Sequence, residues 1–342
     1  MRACKFICVL IAEKGAAEFL VETLEGLVNH PHSFRIRIYA SEVVNDFIRR
    51  LHSRLASEAE IFVFNSALLN SHSAIISTAH CLLSSATSKS EELQFSKFAK
   101  DSGVPMLFVI DAFYGYKKRM VFCGDMYHFD AIVVIDDEAK KEAVWDGLPS
   151  DAIFALGHPA WEAIGCRYPT TKKVKNKPTK NTIFLGAPIK RDYQNTLGFC
   201  EDDAWKLLVE SWQRLPSMFN RLVYCPHPQQ TEIPELYGAE LHSYDPKMLI
   251  EFNQVFGIFS APLMHAAIIG CISISVQPSR HNLDVCAFSR RGYIQRAKSV
   301  PEIRVLLEKY PSMDHIGLLK IFNGSKSRLM QLIRNFAAVG AG

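Results

Sequence analysis

The chain reads as an α/β protein made of two parallel-sheet domains, and three observations predict this. Its strand-like segments are near-continuous apolar runs: Val-Pro-Met-Leu-Phe-Val-Ile at 104–110, Ala-Ile-Val-Val-Ile at 131–135, Val-Phe-Gly-Ile-Phe at 255–259. Strands that are apolar throughout belong to sheets covered on both faces. The runs alternate with segments of helical periodicity, the pattern of a parallel α/β fold. The alternation is interrupted once, between Cys166 and Lys180, by a polar, proline-bounded stretch with five lysines, and then restarts. Such a break is a linker signature. The reading therefore places one domain at 1–165, a linker at 166–180 and a second domain at 181–342, its last helix long enough to cross back onto the first.

Taken in order, 5–12 is the first strand and 15–27 carries apolar residues at helical spacing. A strand at 34–39, a helix at 42–55 and a short strand at 61–64 follow. The Ser-rich segment 66–90 reads as helix and loop, with a helical middle at 74–83. Next come the buried strand 104–110, ending at Asp111, and the strand 131–135, ending at Asp136-Asp137 ahead of a helix at 138–145. A strand at 152–156 runs into Gly157-His158-Pro159. In the second domain a strand at 182–185 ends at Gly186-Ala187-Pro188, and a helix follows at 202–215. A strand at 221–225 ends at Pro226-His227-Pro228, before a short helix at 245–252. The strand 255–259 turns at Ser260 into a helix whose first turn holds Pro262, tolerated there because its missing N–H would have had no partner. Gly270 stops that helix. A strand begins at Cys271, and helices are expected at 300–308 and 315–337.

Composition narrows the function classes. Of 342 residues, 48% are hydrophobic and 22% charged, the balance of a globular protein. A net charge of +4, with no basic run interleaved with aromatics, speaks against nucleic acid as a partner. The nine cysteines are dispersed without a C-x-x-C pair, which fits a reducing compartment and predicts neither disulfides nor a zinc site. The apolar run at 6–12 is too short to span a bilayer and reads as a buried strand. A cytoplasmic protein is expected; the linker's lysines alternatively offer peripheral contact with the anionic inner face of a membrane.

In open parallel sheets ligands bind beyond the carboxyl ends of the strands. In the first domain those ends carry Glu13, Lys14 and Gly15, then Asn65 and Ser66, Asp111, and Asp136 with Asp137. In the second they carry Gly186 to Pro188, His227, Ser260 and Gln277. The helix that opens on Ser260-Ala261 points backbone N–H groups and a hydroxyl at one spot, which suits a phosphate. His227, fixed between two prolines, is placed to donate a hydrogen bond to a phosphate oxygen, or else caps its turn. Asp111, at the mouth of an apolar strand and just before Tyr114, is a candidate general base if burial raises its pKa. Its alternative role, and the favoured one for Asp136 and Asp137, is helix or turn capping. No G-x-G-x-x-G follows the first strand, and the P-loop, nucleophile-elbow and Asp-x-Asp patterns are absent.

These residues together resemble the two-domain GT-B superfamily of nucleotide-sugar enzymes, which includes bacterial surface-polysaccharide glycosyltransferases and UDP-N-acetylglucosamine 2-epimerases. The resemblance rests on 130–138 and 154–159, on Thr182-Ile-Phe-Leu-Gly186, on His227-Pro228, and on the turn from Gly257 to Ser260 with its helix. It implies two Rossmann-like domains facing each other across a cleft. The second would hold the donor, with Ser260, Ala261, His227, Gly186 and Ala187 at the phosphates and His265 and Gln277 toward the nucleoside or sugar. The first would take a glycan or small hydroxyl acceptor through Lys14, Gly15 and Tyr114, with Asp111, Glu13 and His227 catalytic. No metal and no cofactor is implied, the nucleotide sugar being a substrate. Two departures stand out: His265 and Ala266 occupy the region where many relatives carry a ribose-binding Glu, and Asp111 is followed by Ala-Phe where bacterial sialyltransferases have an acidic pair and Gly. The expected activity is metal-independent glycosyl transfer in surface-polysaccharide synthesis. The alternatives are nucleotide-sugar 2-epimerisation or hydrolysis, and a non-catalytic partner subunit of the same fold.

Overall fold

A computed structural model describes residues 5–29, 34–64, 66–85, 90–122, 125–127, 129–168, 180–194, 196–230, 232–279, 283–309 and 315–339. The chain forms two compact units, one of Met1–Ala163 with Phe322–Gly342 and one of Ile164–Ile321. Most of the linker (169–179) and Asn65 lie outside the described residues, while Cys166 and Arg167 end a helix.

The first unit is a seven-stranded sheet with every pairing parallel. Its strands are β1 (Lys5–Ile11), β2 (Phe34–Ala40), β3 (Glu60–Val63), β4 (Cys81–Ser84), β5 (Met106–Val109), β8 (Ala131–Val134) and β9 (Ile153–Ala155), in the spatial order 3-2-1-4-5-8-9. The short β6 (Val121–Phe122) and β7 (Asp125–Met126) form an antiparallel hairpin outside it. Helices α1 (Lys14–Val28), α2 (Glu42–Leu51), α3 (Ser53–Glu58), α4 (Ser66–Ile76), α5 (Ser90–Asp101), α6 (Asp137–Trp145) and α7 (Pro159–Arg167) connect the strands, α7 running on into the second unit. The apolar runs are buried as expected: Ile7 to Ile11 and Leu107 to Val109 are wholly hidden from solvent or nearly so.

The second unit carries six parallel strands, β10 (Thr182–Leu185), β11 (Leu222–Cys225), β12 (Glu240–Leu241), β13 (Gln254–Gly257), β14 (Ile272–Val276) and β15 (Gln295–Ala297), ordered 12-11-10-13-14-15. Its helices are α8 (Ile189–Tyr193), α9 (Glu201–Arg214), α10 (Ala261–Ile268), α11 (Ala287–Arg290), α12 (Val300–Lys309) and α13 (His315–Phe322). Trp205 of α9 is fully buried against Phe184 and Tyr224, and its indole N–H donates to the Glu235 carbonyl at 2.7 Å, so a large ring enters the core without an orphaned donor.

Three local expectations are corrected. The helical middle at 74–83 is instead the end of α4 and then β4, a central strand between β1 and β5; its four residues, Cys-Leu-Leu-Ser, are too few for periodicity to separate strand from helix. The helix at 42–55 is split at His52, which is outside the helical region at φ −130°, ψ 55°. The helix at 315–337 is two, α13 and α14 (Ser325–Val339), because Gly324 sits at φ +79°, a conformation natural to glycine. Glu162 then caps α14, accepting from the N–H groups of Gly324 (2.7 Å) and Lys326 (2.8 Å). Thus redirected, α14 packs on α1, β1 and β4 in the first unit. At the contact a side chain on Gly26 would lie 2.7 Å from the Met330 sulfur, so the helices meet where α1 has none. No described helix is long and apolar enough to cross a membrane.

Candidate functional site

Each sheet has one place where the chain reverses its direction of growth, and there the two strand-end loops diverge and leave a crevice. In the second unit this switch point lies between β10 and β13, because β11 and β12 add on one side of β10 and β13 on the other. The residues at the crevice are Gly186, Ala187 and Pro188 after β10, and Ile258, Phe259 and Ser260 after β13. The register aligns Leu185 with Gly257, which brings these two loops side by side.

Ser260 is the N-cap of α10, yet its hydroxyl caps nothing. The Oγ atom is buried and makes no hydrogen bond within the described residues. A buried unmatched hydroxyl costs about 1–3 kcal/mol, so this one is explained by a partner that the protein itself does not supply. Beside it is the Ala261 N–H at the positive end of the helix dipole; Pro262, the next residue, has no N–H to offer.

The loop after β11 brings His227 to the same end of the sheet. Gly186 is required for this approach: a Cβ there would lie 3.1 Å from the His227 nitrogen, 2.6 Å from Gln230 Oε1 and 3.1 Å from the Tyr224 hydroxyl. Gln230 braces the loop, its amide donating to the Tyr224 hydroxyl (2.8 Å) and to the Glu232 carbonyl (2.9 Å). His227 Nδ1 accepts from the Gln229 N–H at 3.2 Å. That assignment puts the ring proton on Nε2, the nitrogen left to meet a ligand. Burial, and then the nearby Arg191 charge, lower the His227 pKa, so the ring is neutral near pH 7 and acts as a donor through Nε2–H.

Two residues that the motif search passed over also belong here. Arg191 donates through Nη2 to Gln229 Oε1 at 2.7 Å, and Lys190 pairs with Asp202 at 2.6 Å. Both sit on α8, which follows Pro188 directly; the signal available in the sequence was a Lys-Arg pair just beyond a strand end. Tyr193 of α8 meets Phe259 edge-on at 5.7 Å, tying this helix to the Ser260 turn.

The other expected donor residues are less open to a ligand. Ala187, in the crevice loop after β10, is itself buried. His265 is half-buried on α10, about 7.5 Å along the axis from the helix mouth at 1.5 Å per residue. Gln277 does not face a ligand. It is fully buried, its amide donates to Ser275 Oγ (2.8 Å) and Asp284 Oδ1 (2.7 Å), and its carbonyl accepts from the Val285 N–H (3.0 Å). All its capacity goes into pinning the loop after β14. Strand-end position alone could not reveal this, because the acceptor lies seven residues onward at Asp284.

In the first unit the switch point lies between β1 and β4. Asp111, two residues beyond the end of β5, reaches the start of α1: a Cβ on Gly15 would be 2.5 Å from Asp111 Oδ2. The glycine is what lets the carboxylate lie against the first helical turn. Asp111 Oδ1 is buried with no hydrogen bond in the described residues, and Arg119 stands 3.7 Å away as its ion-pair partner. Burial raises the Asp111 pKa; Arg119 opposes this and Glu13 adds to it. Glu18, on the next turn of α1, is likewise raised by burial, with Lys14 opposing and Asp111 adding. Lys14 and Glu18 pair at 3.9 Å. Tyr114 is largely exposed, with the Arg119 guanidinium 5.7 Å from its ring centre. Sequence reasoning found Asp111, Glu13, Lys14 and Gly15, which the fold gathers; it missed Glu18, and it reads Arg119, with Lys117 and Lys118, as a solvated face, whereas Arg119 pairs with Asp111. Asp136 is a helix cap, accepting from the Ala139 N–H at 2.6 Å. Among the described residues no group of three or more His, Cys, Asp or Glu side chains could hold a metal ion.

No protein-family model matches the chain, and neither does any curated protein. Solved structures do match over nearly the whole length. One is a UDP-GlcNAc 2-epimerase from Methanocaldococcus jannaschii, with a TM-score of 0.67 and 10% identity, covering 96% of this chain and 99% of that one. Another is the UDP-GlcNAc 2-epimerase of Neisseria meningitidis bound to UDP-GlcNAc, with a TM-score of 0.61 and 11% identity over 96% and 99%. A third is the glycotransferase of kitacinnamycin, with a TM-score of 0.54 and 12% identity over 98% and 97%. What the chain shares with them, at these identities, is the fold: two Rossmann-like parallel sheets, the architecture of the GT-B nucleotide-sugar enzymes.

Proposed function

We propose that the chain is a nucleotide-sugar enzyme that binds its donor at the switch point of the second unit and transfers the sugar to a hydroxyl acceptor. The observation that carries this is Ser260: a buried, unmatched hydroxyl at a helix N-terminus, in the crevice where open α/β sheets take ligands, beside a donor histidine and a cation. A diphosphate supplies the acceptor that the Ser260 hydroxyl lacks. The Ser260 hydroxyl, the Ala261 N–H and His227 Nε2–H would donate to phosphate oxygens, with Arg191 adding positive charge. As the bond from the anomeric carbon to the diphosphate breaks, the negative charge gained by the leaving group is met by donors already in place. On this reading the transfer needs no metal. In the first unit, Asp111, its pKa raised by burial, would take the proton of the attacking hydroxyl, and Glu13, Lys14, Gly15 and Tyr114 would contact the acceptor. The described cysteines are all free thiols, which supports the reading of a cytoplasmic protein.

A second reading is 2-epimerisation of a UDP-sugar, favoured by the epimerases among the structures of this fold. Calorimetry with UDP-, CMP- and GDP-sugars tests the shared premise: a UDP-sugar binds, and Ser260→Ala weakens it about tenfold, the loss of one hydrogen bond to a charged group. Absence of binding across the panel at millimolar ligand sinks both readings. Incubation with UDP-GlcNAc and no acceptor then separates them, because an epimerised sugar in the NMR spectrum favours the second.

A further inference from the structure

The first unit's switch point holds a carboxylate with no evident place in the reaction above. Glu92, on the first turn of α5, is completely buried. Its carboxylate accepts from the Ser84 hydroxyl (2.7 Å), the Ser85 N–H (2.6 Å) and the Ser85 hydroxyl (2.9 Å). The Ser85 oxygen in turn accepts from the Ala12 N–H at 3.3 Å, and that N–H also favours the charged form of Glu92. Burial disfavours its charged form, and these serines and the Ala12 N–H favour it. The carboxylate is thus held by donors from the two strand ends that flank the crevice.

Ala12 is the point through which this matters. It follows the last residue of β1 and precedes Glu13, the N-cap of α1. Its N–H is fixed by Ser85 and its carbonyl by the Ser41 hydroxyl at 2.8 Å. The direction in which the chain leaves the sheet, and so where Glu13, Lys14 and Gly15 point, follows from how this one peptide is held.

We propose that Glu92 is the positioning residue of the β1–α1 turn: through Ser85 it holds the Ala12 peptide so that Glu13 to Gly15 face the crevice where the first unit takes its ligand. The role of that turn in ligand contact rests on the proposed function; the mechanical coupling does not. The carboxylate does not touch substrate. It acts by presenting its acceptor oxygens to donors that would otherwise be unmatched in a dry site.

The experiment uses the full chain with Glu92→Ala, Glu92→Gln and added sodium formate. Hydrogen exchange followed by mass spectrometry reads the turn directly. In Glu92→Ala, protection of peptides spanning 10–17 falls at least tenfold more than that of peptides spanning 254–270. Formate at tens of millimolar restores it in Glu92→Ala and leaves the wild type unchanged, and Glu92→Gln, which keeps one acceptor, is intermediate. In parallel, UDP release from UDP-GlcNAc falls about tenfold in kcat in Glu92→Ala with KM for the nucleotide sugar unchanged, and formate restores it. Uniform loss of protection along the chain, loss confined to α5, or wild-type kcat with a loosened turn each overturns the proposal. If the wild type binds no nucleotide sugar of the panel, the proposed function fails, and the exchange arm still decides what Glu92 does.

Discussion

The two sheets solve the same topological problem and fill the result differently. Both leave a crevice at a switch point, between β1 and β4 in one unit and between β10 and β13 in the other. The first is occupied by the protein's own carboxylates: Glu92 with its hydrogen bonds satisfied, and Asp111 laid against the start of α1. The second presents the unmatched Ser260 hydroxyl, the Ala261 N–H and neutral His227, with Arg191 beside them held by Asp192 and Gln229. A crevice lined with unmatched donors attracts an anionic ligand. One already supplied with carboxylates repels a phosphate and suits a ligand with protons to give. On the proposed function, that difference would give the donor to the second unit and the acceptor to the first.

The largest effect is expected at Glu92. Burial pushes its pKa up from 4.5 to about 7. A carboxyl whose folded pKa is raised contributes stability that is fully present below its unfolded pKa, near 4.5, and is lost as pH rises through about 7. Glu92→Gln does not ionise, so its stability relative to wild type should improve by about 3 kcal/mol between pH 4 and pH 8. Urea denaturation at the two pH values checks this, and parallel behaviour of the two proteins would mean that Glu92 is not strained by ionisation.

A smaller effect is expected at the donor-rich crevice. His227→Ala with Arg191→Ala should weaken UDP-GlcNAc binding by roughly 30-fold, two contacts to charged oxygens worth about 1 kcal/mol each in a half-exposed site. Adding salt should narrow the gap, since part of the Arg191 contribution is screened. Wild-type affinity in that double variant would remove the contrast between the units.

The smallest change tests the close approach in the first unit. Gly15→Ala puts a methyl 2.5 Å from Asp111 Oδ2, so the carboxylate must move off the helix. Helix propensity favours the alanine by about 1 kcal/mol, which offsets part of the steric cost, and a net destabilisation of about 1 kcal/mol is expected in the same denaturation experiment. A stabilised variant would show that Asp111 does not depend on this contact.

Much of this was legible in the sequence, for reasons specific to each element. The long buried strands declared themselves because a sheet covered on both faces demands unbroken apolar runs, and the Gly186, His227 and Ser260 loops followed from the rule that ligands meet strand ends. β4 stayed hidden, since four residues inside a Ser-rich segment carry too little periodicity. With β4 unseen, the first switch point could not be located, so Glu92 had no reason to be noticed. Gln277 shows the opposite failure: a polar residue at a strand end whose partners, Ser275 and Asp284, lie close in sequence but are joined to it only by the turn of the loop. Arg191 and Arg119 owe their relevance to three-dimensional neighbours, and no local signal names those.

The glycine break at 324 has a consequence for how the chain is made. The second unit is contiguous, 164–321, whereas the first is completed only by 322–342. On a ribosome adding 5–20 residues per second, α1 emerges roughly 15–60 s before α14 exists to cover it. During that interval the small face around Gly26, shaped to receive Met330, has nothing to receive. The first unit is therefore completed only after the whole of the second has been translated, even though most of it is made first.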